Sequence, residues 1–217
     1  MRLHELLEIP RGVTAVVGSG GKTTLIRHLA EELRQQGSVL ICTTTKMWLP
    51  EPGACYCPTL RQAAEACRPG QVVYTGPASP QGKLLPPEEP GWQTLADYVL
   101  VEADGAAGRP LKAHRPWEPV IPAETNRRVL VVGAAGLGRP LVEAAHCPEL
   151  FARLAGCSRE DPATPEGIAR VVEQEALGDV ILLNQADAAD AEPLHRLARL
   201  LGDCAVSSLR EMWWQRF

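Results

Sequence analysis

Residues 13–24 read VTAVVGSGGKTT, and this stretch is the most informative indicator of the fold. An apolar run of strand-forming residues leads into a glycine-rich turn, and Lys-Thr-Thr then opens a helix. This order is typical of a P-loop, in which glycines let backbone N–H groups converge on a phosphate and the helix N-terminus adds partial positive charge. The complete pattern has a glycine where Val16 stands, so the loop is a shortened form. The residues that we predict to bind a nucleotide here are Gly18, Ser19, Gly20, Gly21, Lys22, Thr23 and Thr24.

Two side chains of this loop carry the chemistry. Lys22 is expected to neutralise the β- and γ-phosphates, and the hydroxyl of Thr23 is expected to bind Mg²⁺. The alternative is a glycine turn that precedes Lys-Thr-Thr by coincidence.

Apolar runs alternate with amphipathic helical patterns along the remainder of the 217 residues. The runs at residues 39–43 and 98–102, for example, have the continuous hydrophobicity of parallel strands that are buried on both faces. We therefore predict an α/β fold of P-loop NTPase type, a three-layer sandwich with a mainly parallel sheet and helices on both faces. Residues 1–217 are predicted to form a single nucleotide-binding domain. A proline-rich, irregular insertion is expected at about residues 47–96, containing two short strands and a helix.

Composition excludes several classes of function. The net charge of −4 argues against non-specific binding to nucleic acid, which favours a basic face. No apolar stretch approaches membrane-spanning length, and acidic residues interrupt the apolar run at the N-terminus, so a signal peptide is not expected. Seven cysteines, an odd number, predict a reducing compartment and structural thiols, since no second ligand pair has metal-site spacing. We predict a cytoplasmic protein with neither nucleic-acid nor membrane partners.

Glu102 and Asp104 end the apolar run at residues 98–102. Residues i and i+2 share a face of an extended strand, so both carboxylates can face one cation. We predict that they complete the Mg²⁺ site with Thr23, and that Lys22, Glu102 and Asp104 are the catalytic residues. Which acid has which role stays open, and an acidic strand end that merely caps a turn is the alternative.

Two further segments are candidates for binding a substrate. Threonines at residues 43–45 end a strand, where a hydroxyl such as that of Thr44 would reach the metal and Lys46 would reach a phosphate. The loop at residues 105–119 concentrates basic side chains after the acidic pair, and such groups grip anionic ligands. Its candidates are Arg109, Lys112 and His114. Ordinary strand packing and a solvated basic loop are the respective alternatives.

The segment NQAD at residues 184–187 follows a late apolar run and approximates the Asn-Lys-x-Asp element by which GTPases recognise guanine. Asp187 would accept hydrogen bonds from the base and Asn184 would fix the loop, while Gln185 replaces the usual lysine. Ser207 begins an SSL segment that corresponds to a second guanine-contacting element. Both segments are also explained by turn chemistry, because Asn and Asp are common where strands end. The sequence therefore leaves both GTP and ATP as candidate nucleotides, with GTP slightly favoured.

Together these motifs resemble the YqeC-like family, whose members are described as accessory or maturation factors for selenium-dependent molybdenum hydroxylases. The resemblance implies a role in selenium and molybdenum cofactor biosynthesis or insertion. Its implied partners are the molybdenum cofactor or a selenium species and a molybdenum hydroxylase, and a homodimer stays open. Two wider similarities diverge, one to metallochaperone GTPases and one to the ATP-dependent Mur-type ligases. The matching segments are residues 17–24, 43–46, 101–105, 109–112, 118–122 and 184–187.

The function predicted from the sequence is therefore a Mg²⁺-dependent nucleoside triphosphatase that assists cofactor maturation. One alternative is an ATP-dependent kinase or ligase that acts on a small anionic substrate. The other is a non-catalytic scaffold for the cofactor, gated by nucleotide.

Overall fold

The structure, a computed structural model, describes all 217 residues and groups the chain into two compact units. The boundaries fall on either side of the glycine loop, at both ends of the segment 106–119 and within one long strand at residues 125–133, so each unit is discontinuous in sequence. Whether the chain acts as the single domain that we predict is a separate question, and that prediction stays open. The first unit comprises Met1–Val16, Thr23–Gly105 and Val120–Arg128, and the second comprises Val17–Lys22, Ala106–Pro119 and Val129–Phe217.

Five strands of the first unit form a parallel sheet in the order β1-β7-β2-β5-β4. Its register places Val16 of β1 and Thr43 of β2 opposite Glu102 of β7, so three strand ends meet at one edge. Two short strands, β3 and β6, form a separate antiparallel pair. The elements are α1 (Leu3–Leu6), β1 (Gly12–Gly18), α2 (Lys22–Leu33), β2 (Val39–Thr43), β3 (Met47–Trp48), β4 (Cys55–Cys57), α3 (Leu60–Ala66), β5 (Val72–Thr75), β6 (Lys83–Leu84) and β7 (Tyr98–Glu102).

Helix α2 is amphipathic and buries one face. Leu25, Leu29 and Leu33 recur at intervals of four residues and are all fully buried. Full burial of such a side chain contributes about 1.5–3 kcal/mol, so this stripe fixes the helix that follows the glycine loop. Helix α1 is joined to α2 by Glu32, which accepts hydrogen bonds from two backbone N–H groups of α1.

The segment at residues 47–96 contains the two short strands and the helix that the sequence predicts there, as β4, β5 and α3. Helix α3 begins at a capping box, in which Thr59 and Gln62 satisfy each other's backbone N–H groups. Strands β4 and β5 extend the parallel sheet, and turns and coil connect the elements of this segment.

Three strands of the second unit, β9, β11 and β12, are parallel, and β13 pairs antiparallel with β12. Strand β13 was not predicted from the sequence, because its residues WWQR show no alternation of apolar and polar side chains. A short parallel pair, β8 with β10, holds the middle of the basic loop. The elements are β8 (Leu111–Lys112), β9 (Thr125–Gly133), α4 (Leu141–Ala144), β10 (Ala145–His146), α5 (Pro148–Ala155), α6 (Pro165–Glu175), β11 (Val180–Asn184), α7 (Ala191–Leu201), β12 (Cys204–Ser208) and β13 (Trp213–Arg216).

The predicted α/β class, with mainly parallel strands and helices packed against them, is confirmed, and the architecture is consistent with a P-loop NTPase-like sandwich. Residues of β2, β7 and β12 are buried throughout, as parallel strands covered on both faces require. None of the helices combines the length and the apolar character that crossing a membrane requires.

Candidate functional site

The glycine loop after β1 has a backbone shape that only glycine adopts readily. Gly18, Gly20 and Gly21 have φ angles of 90°, 93° and 119°. A Cβ atom on Gly20 would also clash with the backbone of Gly133, which ends β9. The loop therefore requires glycine for its conformation and for the close approach of a neighbouring chain segment.

Lys22 and Ser19 are buried side chains that hold this loop together. The Nζ atom of Lys22 donates a hydrogen bond to the carbonyl oxygen of Gly18 at 2.6 Å, so its positive charge lies at the loop. The Ser19 hydroxyl donates to the carbonyl oxygen of Arg109, and its backbone N–H donates to Val131 at 2.8 Å. The loop thus presents one cationic group on a backbone that β9 and the basic loop support.

Asn184 connects the glycine loop to the last parallel strand. Its Nδ2 atom donates to the carbonyl oxygen of Gly20 at 2.7 Å. Its Oδ1 atom accepts from the Ser207 hydroxyl at 3.0 Å and from the backbone N–H of Leu209 at 3.1 Å. The structure therefore brings together Asn184, Ser207 and Gly20, whereas Asp187 is exposed at the surface.

Gln185 was noted in the sequence only as a replacement for lysine, and its conformation is unusual. Its φ angle is 64°, in the left-handed region that few non-glycine residues occupy. Its carboxamide oxygen is buried without a hydrogen-bond partner and faces Gly133. The side chain is therefore directed towards the packed backbone beside the glycine loop.

In the first unit, Thr23 and Glu102 form the centre of the candidate metal site. The Thr23 hydroxyl donates to Oε2 of Glu102 at 2.7 Å, and the Glu102 carbonyl oxygen accepts from the Thr43 hydroxyl, also at 2.7 Å. Glu102 is 7% exposed and Asp104 is fully buried. Burial of two carboxylates is costly without a compensating cation or donors, and hydroxyl and carboxylate oxygens are the ligands that Mg²⁺ prefers. The donor set therefore fits Mg²⁺.

No group of three or more His, Cys, Asp and Glu side chains in the structure is arranged to hold a metal ion. A site at Thr23 would accordingly depend on one hydroxyl and two carboxylates, with phosphate and water oxygens completing the shell, as is usual for Mg²⁺ with nucleotides. Thr24, the other threonine at the start of α2, is exposed.

The strand-end candidates differ in their surroundings. The Thr44 hydroxyl donates to the carbonyl oxygen of Val120 at 2.6 Å, so it already serves a backbone group. Lys46 is exposed. The Thr44 hydroxyl would have to exchange this bond in order to contact a ligand.

The basic loop contains two buried contacts with carboxylates that sequence reasoning missed, an ion pair of Lys112 and a hydrogen bond of His114. Nζ of Lys112 lies 3.1 Å from Glu118, and Nδ1 of His114 lies 2.8 Å from Glu175, with both basic side chains almost fully buried. Arg109 is exposed, and its guanidinium donates to the carbonyl oxygen of Glu143. The geometry thus favours a structural role for Lys112 and His114, while Arg109 is the member of the trio that is open to solvent.

Two of the cysteines, Cys57 and Cys67, have the character of structural thiols, whereas Cys157 is exposed. Burial, which is the main cause, raises the pKa of Cys57 and of Cys67 to about 11. A thiol with so high a pKa is protonated at neutral pH and is a poor nucleophile and metal ligand.

Comparison with known proteins places these features in a family. The family model described as YqeC protein matches residues 14–149, which include the glycine loop, the acidic pair and the basic loop. The protein named "Uncharacterized protein YqeC" from Escherichia coli (strain K12) is 35% identical over 155 residues, covering 66% of this chain and 60% of that protein. The chain thus spans about 60% of that relative's length. No solved structure matches the chain.

The resemblance noted from the motifs at residues 17–24 and 101–105 is therefore confirmed at the level of the family, because both lie within the matched range. The segment NQAD at residues 184–187 lies beyond it. The chain belongs to the YqeC family.

Proposed function

We propose that this protein is a Mg²⁺-dependent P-loop nucleoside triphosphatase that assists selenium or molybdenum cofactor biosynthesis or insertion, with GTP slightly favoured over ATP. The observation that carries the nucleotide site is the glycine loop, whose three positive φ angles lead into a buried Lys22 and a Thr23 bonded to Glu102. Lys22 and Thr23 are consecutive in the P-loop pattern, in which the lysine binds phosphate and the hydroxyl binds Mg²⁺.

The residues divide the work of hydrolysis as follows. Lys22 would neutralise charge on the β- and γ-phosphates, and Thr23 with Glu102 would hold Mg²⁺, which would stabilise the negative charge of the phosphates. Asp104, two residues after Glu102, is the second carboxylate of this strand end and would serve either the metal or the attacking water. The water forms a bond to the γ-phosphorus, and the bond to the oxygen that bridges to the β-phosphate breaks, giving the diphosphate and inorganic phosphate.

The preference for GTP rests on Asn184 and Asp187. Asn184 bonds to both Gly20 and Ser207, as expected of a residue that fixes a base-binding loop, and Asp187 is exposed and able to accept hydrogen bonds from a base. The absence of a glycine at Val16 is the reason for keeping this preference modest.

The accessory role rests on membership of the YqeC family alone. In this proposal the second ligand is a molybdenum cofactor or selenium species, and the partner is a molybdenum hydroxylase. Arg109 and Lys46 are the exposed cationic candidates for contacting an anionic ligand. A second candidate function, an ATP-dependent kinase or ligase, is favoured by the shortened loop, which resembles that of Mur-type ligases.

The test is turnover of GTP and of ATP by the purified protein, measured as phosphate release with and without Mg²⁺. We expect Mg²⁺-dependent release, faster with GTP. Glu102→Gln removes the charge but keeps the shape, and should lower turnover by about 10- to 100-fold. Glu89→Gln, at an exposed position outside the candidate site, is the matched control and should be unaffected.

Other outcomes separate the rival functions. ADP formation that requires an added anionic substrate, with no use of GTP, would replace the proposal by the kinase or ligase. Tight nucleotide binding without turnover of either nucleotide would instead indicate a non-catalytic scaffold.

A further inference from the structure

Thr43 is the last residue of strand β2 and Thr44 and Thr45 follow it directly, and two of the three hydroxyls are engaged. The Thr43 hydroxyl donates to the carbonyl oxygen of Glu102 at 2.7 Å, and that of Thr44 donates to the carbonyl oxygen of Val120 at 2.6 Å. Both bonds join β2 to chain segments on either side of the basic loop. These two threonines therefore have a sufficient structural reason for their hydroxyl groups.

Thr45 differs from its two neighbours. Its hydroxyl oxygen is buried and has no hydrogen-bond partner, although its backbone N–H donates to the Thr43 hydroxyl at 3.1 Å. The backbone is thus held in place while the side-chain oxygen is left unpaired. A buried polar group without a partner lowers stability, so its retention calls for an explanation such as a bound ligand.

The position of Thr45 points to the ligand. In the register of the sheet, Thr43 lies opposite Glu102, and neighbouring strands are about 4.8 Å apart. Thr45 follows two residues later, at the same edge where Glu102 accepts the hydrogen bond from Thr23. In open α/β sheets, ligands bind at this carboxyl edge.

Other unpartnered threonine hydroxyls lack this placement. Thr14 lies within β1 and Thr125 begins β9, so neither is at the carboxyl end of a strand. Thr75 does end a strand, β5, but it is fully buried and β5 does not pair with β7. Among these residues only Thr45 is partly exposed at the end of a strand that neighbours Glu102.

We propose that Thr45 is a positioning residue for a Mg²⁺–nucleoside triphosphate, and that its hydroxyl bonds either a γ-phosphate oxygen or a water in the metal's shell. This inference rests on the proposed function and selects one residue from the threonine cluster. It assigns to Thr45 the contact that the sequence alone leaves open among three hydroxyls.

The test compares Thr45→Val, which removes the hydroxyl at nearly constant shape, with Thr45→Ser, which keeps it. Without nucleotide, Thr45→Val should be at least as stable to urea as the wild type, whereas Thr44→Val should be less stable because it loses the bond to Val120. With Mg²⁺ and a non-hydrolysable triphosphate, Thr45→Val should bind about tenfold more weakly and Thr45→Ser within about twofold of the wild type.

Thr125→Val is the matched control, since it also removes an unpartnered buried hydroxyl, and its affinity should equal that of the wild type. A loss in Thr45→Val that is confined to triphosphates assigns the contact to the γ-phosphate. A loss shared with the diphosphate assigns it to a metal-bound water.

Two results would overturn the inference while leaving the proposed function standing. One is wild-type affinity in Thr45→Val when the wild-type protein binds Mg²⁺–triphosphate. The other is a loss of stability without nucleotide equal to that of Thr44→Val, which would reveal a structural partner. Failure of the wild-type protein to bind any nucleotide would overturn both.

Discussion

Replacing Asn184 by alanine should weaken the fold and the glycine loop together. The side chain is 4% exposed and takes part in three hydrogen bonds, to Gly20, Ser207 and Leu209. At a net contribution of about 0.5–1.5 kcal/mol each, Asn184→Ala should cost about 3 kcal/mol of unfolding free energy. In a chain of this length that corresponds to a melting temperature lower by roughly 6–12 °C.

The effect on binding should be independent of the base. Because Asn184 holds the carbonyl oxygen of Gly20, its loss should loosen the phosphate-binding backbone and weaken GTP and ATP to a similar degree. Asp187→Ala removes the surface carboxylate that we propose contacts the base, so it should weaken GTP more than ATP. Calorimetric titration of both variants with each nucleotide distinguishes the two effects.

Two further variants divide the Asn184 contribution. Ser207→Ala removes one of the three bonds and should cost about 1 kcal/mol, with little effect on nucleotide affinity. Asn184→Asp keeps both acceptor bonds but replaces the donor to Gly20 by a carboxylate oxygen that repels the carbonyl. Because this carboxylate is buried, Asn184→Asp should fold no better than Asn184→Ala and should bind both nucleotides at least as weakly. Wild-type stability in Asn184→Ala would contradict the stabilising role of the three hydrogen bonds. Wild-type affinity in Asn184→Asp would contradict the role of the bond to Gly20 in nucleotide binding.

Two other predictions concern stability away from the loop. Glu32→Ala removes the acceptor for the N–H groups of Leu3 and His4, and for Nδ1 of His4, so we expect a loss of about 2–4 kcal/mol in urea unfolding and earlier proteolysis near the N-terminus; unchanged stability would contradict the contacts. The pKa of Asp97 lies below its ordinary value of 3.8, first because of the hydrogen bond from the Ser38 backbone, then because of the Ser38 hydroxyl and Arg11. A lowered folded-state pKa stabilises the protein above the unfolded-state value and loses that effect as the pH falls through the folded-state value. The urea midpoints of the wild type and Asp97→Asn should therefore differ most above the unfolded-state pKa and should converge as the pH falls through the folded-state pKa; a difference that does not change with pH would contradict this.

The sequence predicted the elements that depend on local pattern. Strand β7 at residues 98–102 was recognisable because a continuous apolar run is a signal that acts over a few neighbouring residues. The glycine loop was recognisable for the same reason, since its positive φ angles demand glycine in a short, fixed order.

The two buried contacts of the basic loop, Lys112 with Glu118 and His114 with Glu175, could not be predicted from local sequence patterns. His114 and its partner Glu175 are separated by 61 residues, so nothing in the loop's own sequence shows that the histidine is buried and paired. The loop therefore read as a set of exposed basic groups, although Lys112 is as buried as a core residue.

The bond between Asn184 and Gly20 spans 164 residues and was likewise outside the reach of pattern analysis. The motif identified Asn184 as a residue that fixes a loop, and the structure supplies which loop. Strand β13 was missed because pairing with β12, rather than any pattern in WWQR, makes it a strand.

In the proposed function, the glycine loop binds a nucleoside triphosphate through Lys22. The most direct measurement is an equilibrium titration of the wild-type protein and of Lys22→Ala with GTP and with ATP, each with Mg²⁺. Lys83→Ala, a lysine of the β3–β6 pair, serves as the control for loss of positive charge. We expect saturable binding by the wild type and by Lys83→Ala. Lys22→Ala should show a large loss of affinity. Equal affinity in Lys22→Ala and the wild type would contradict it.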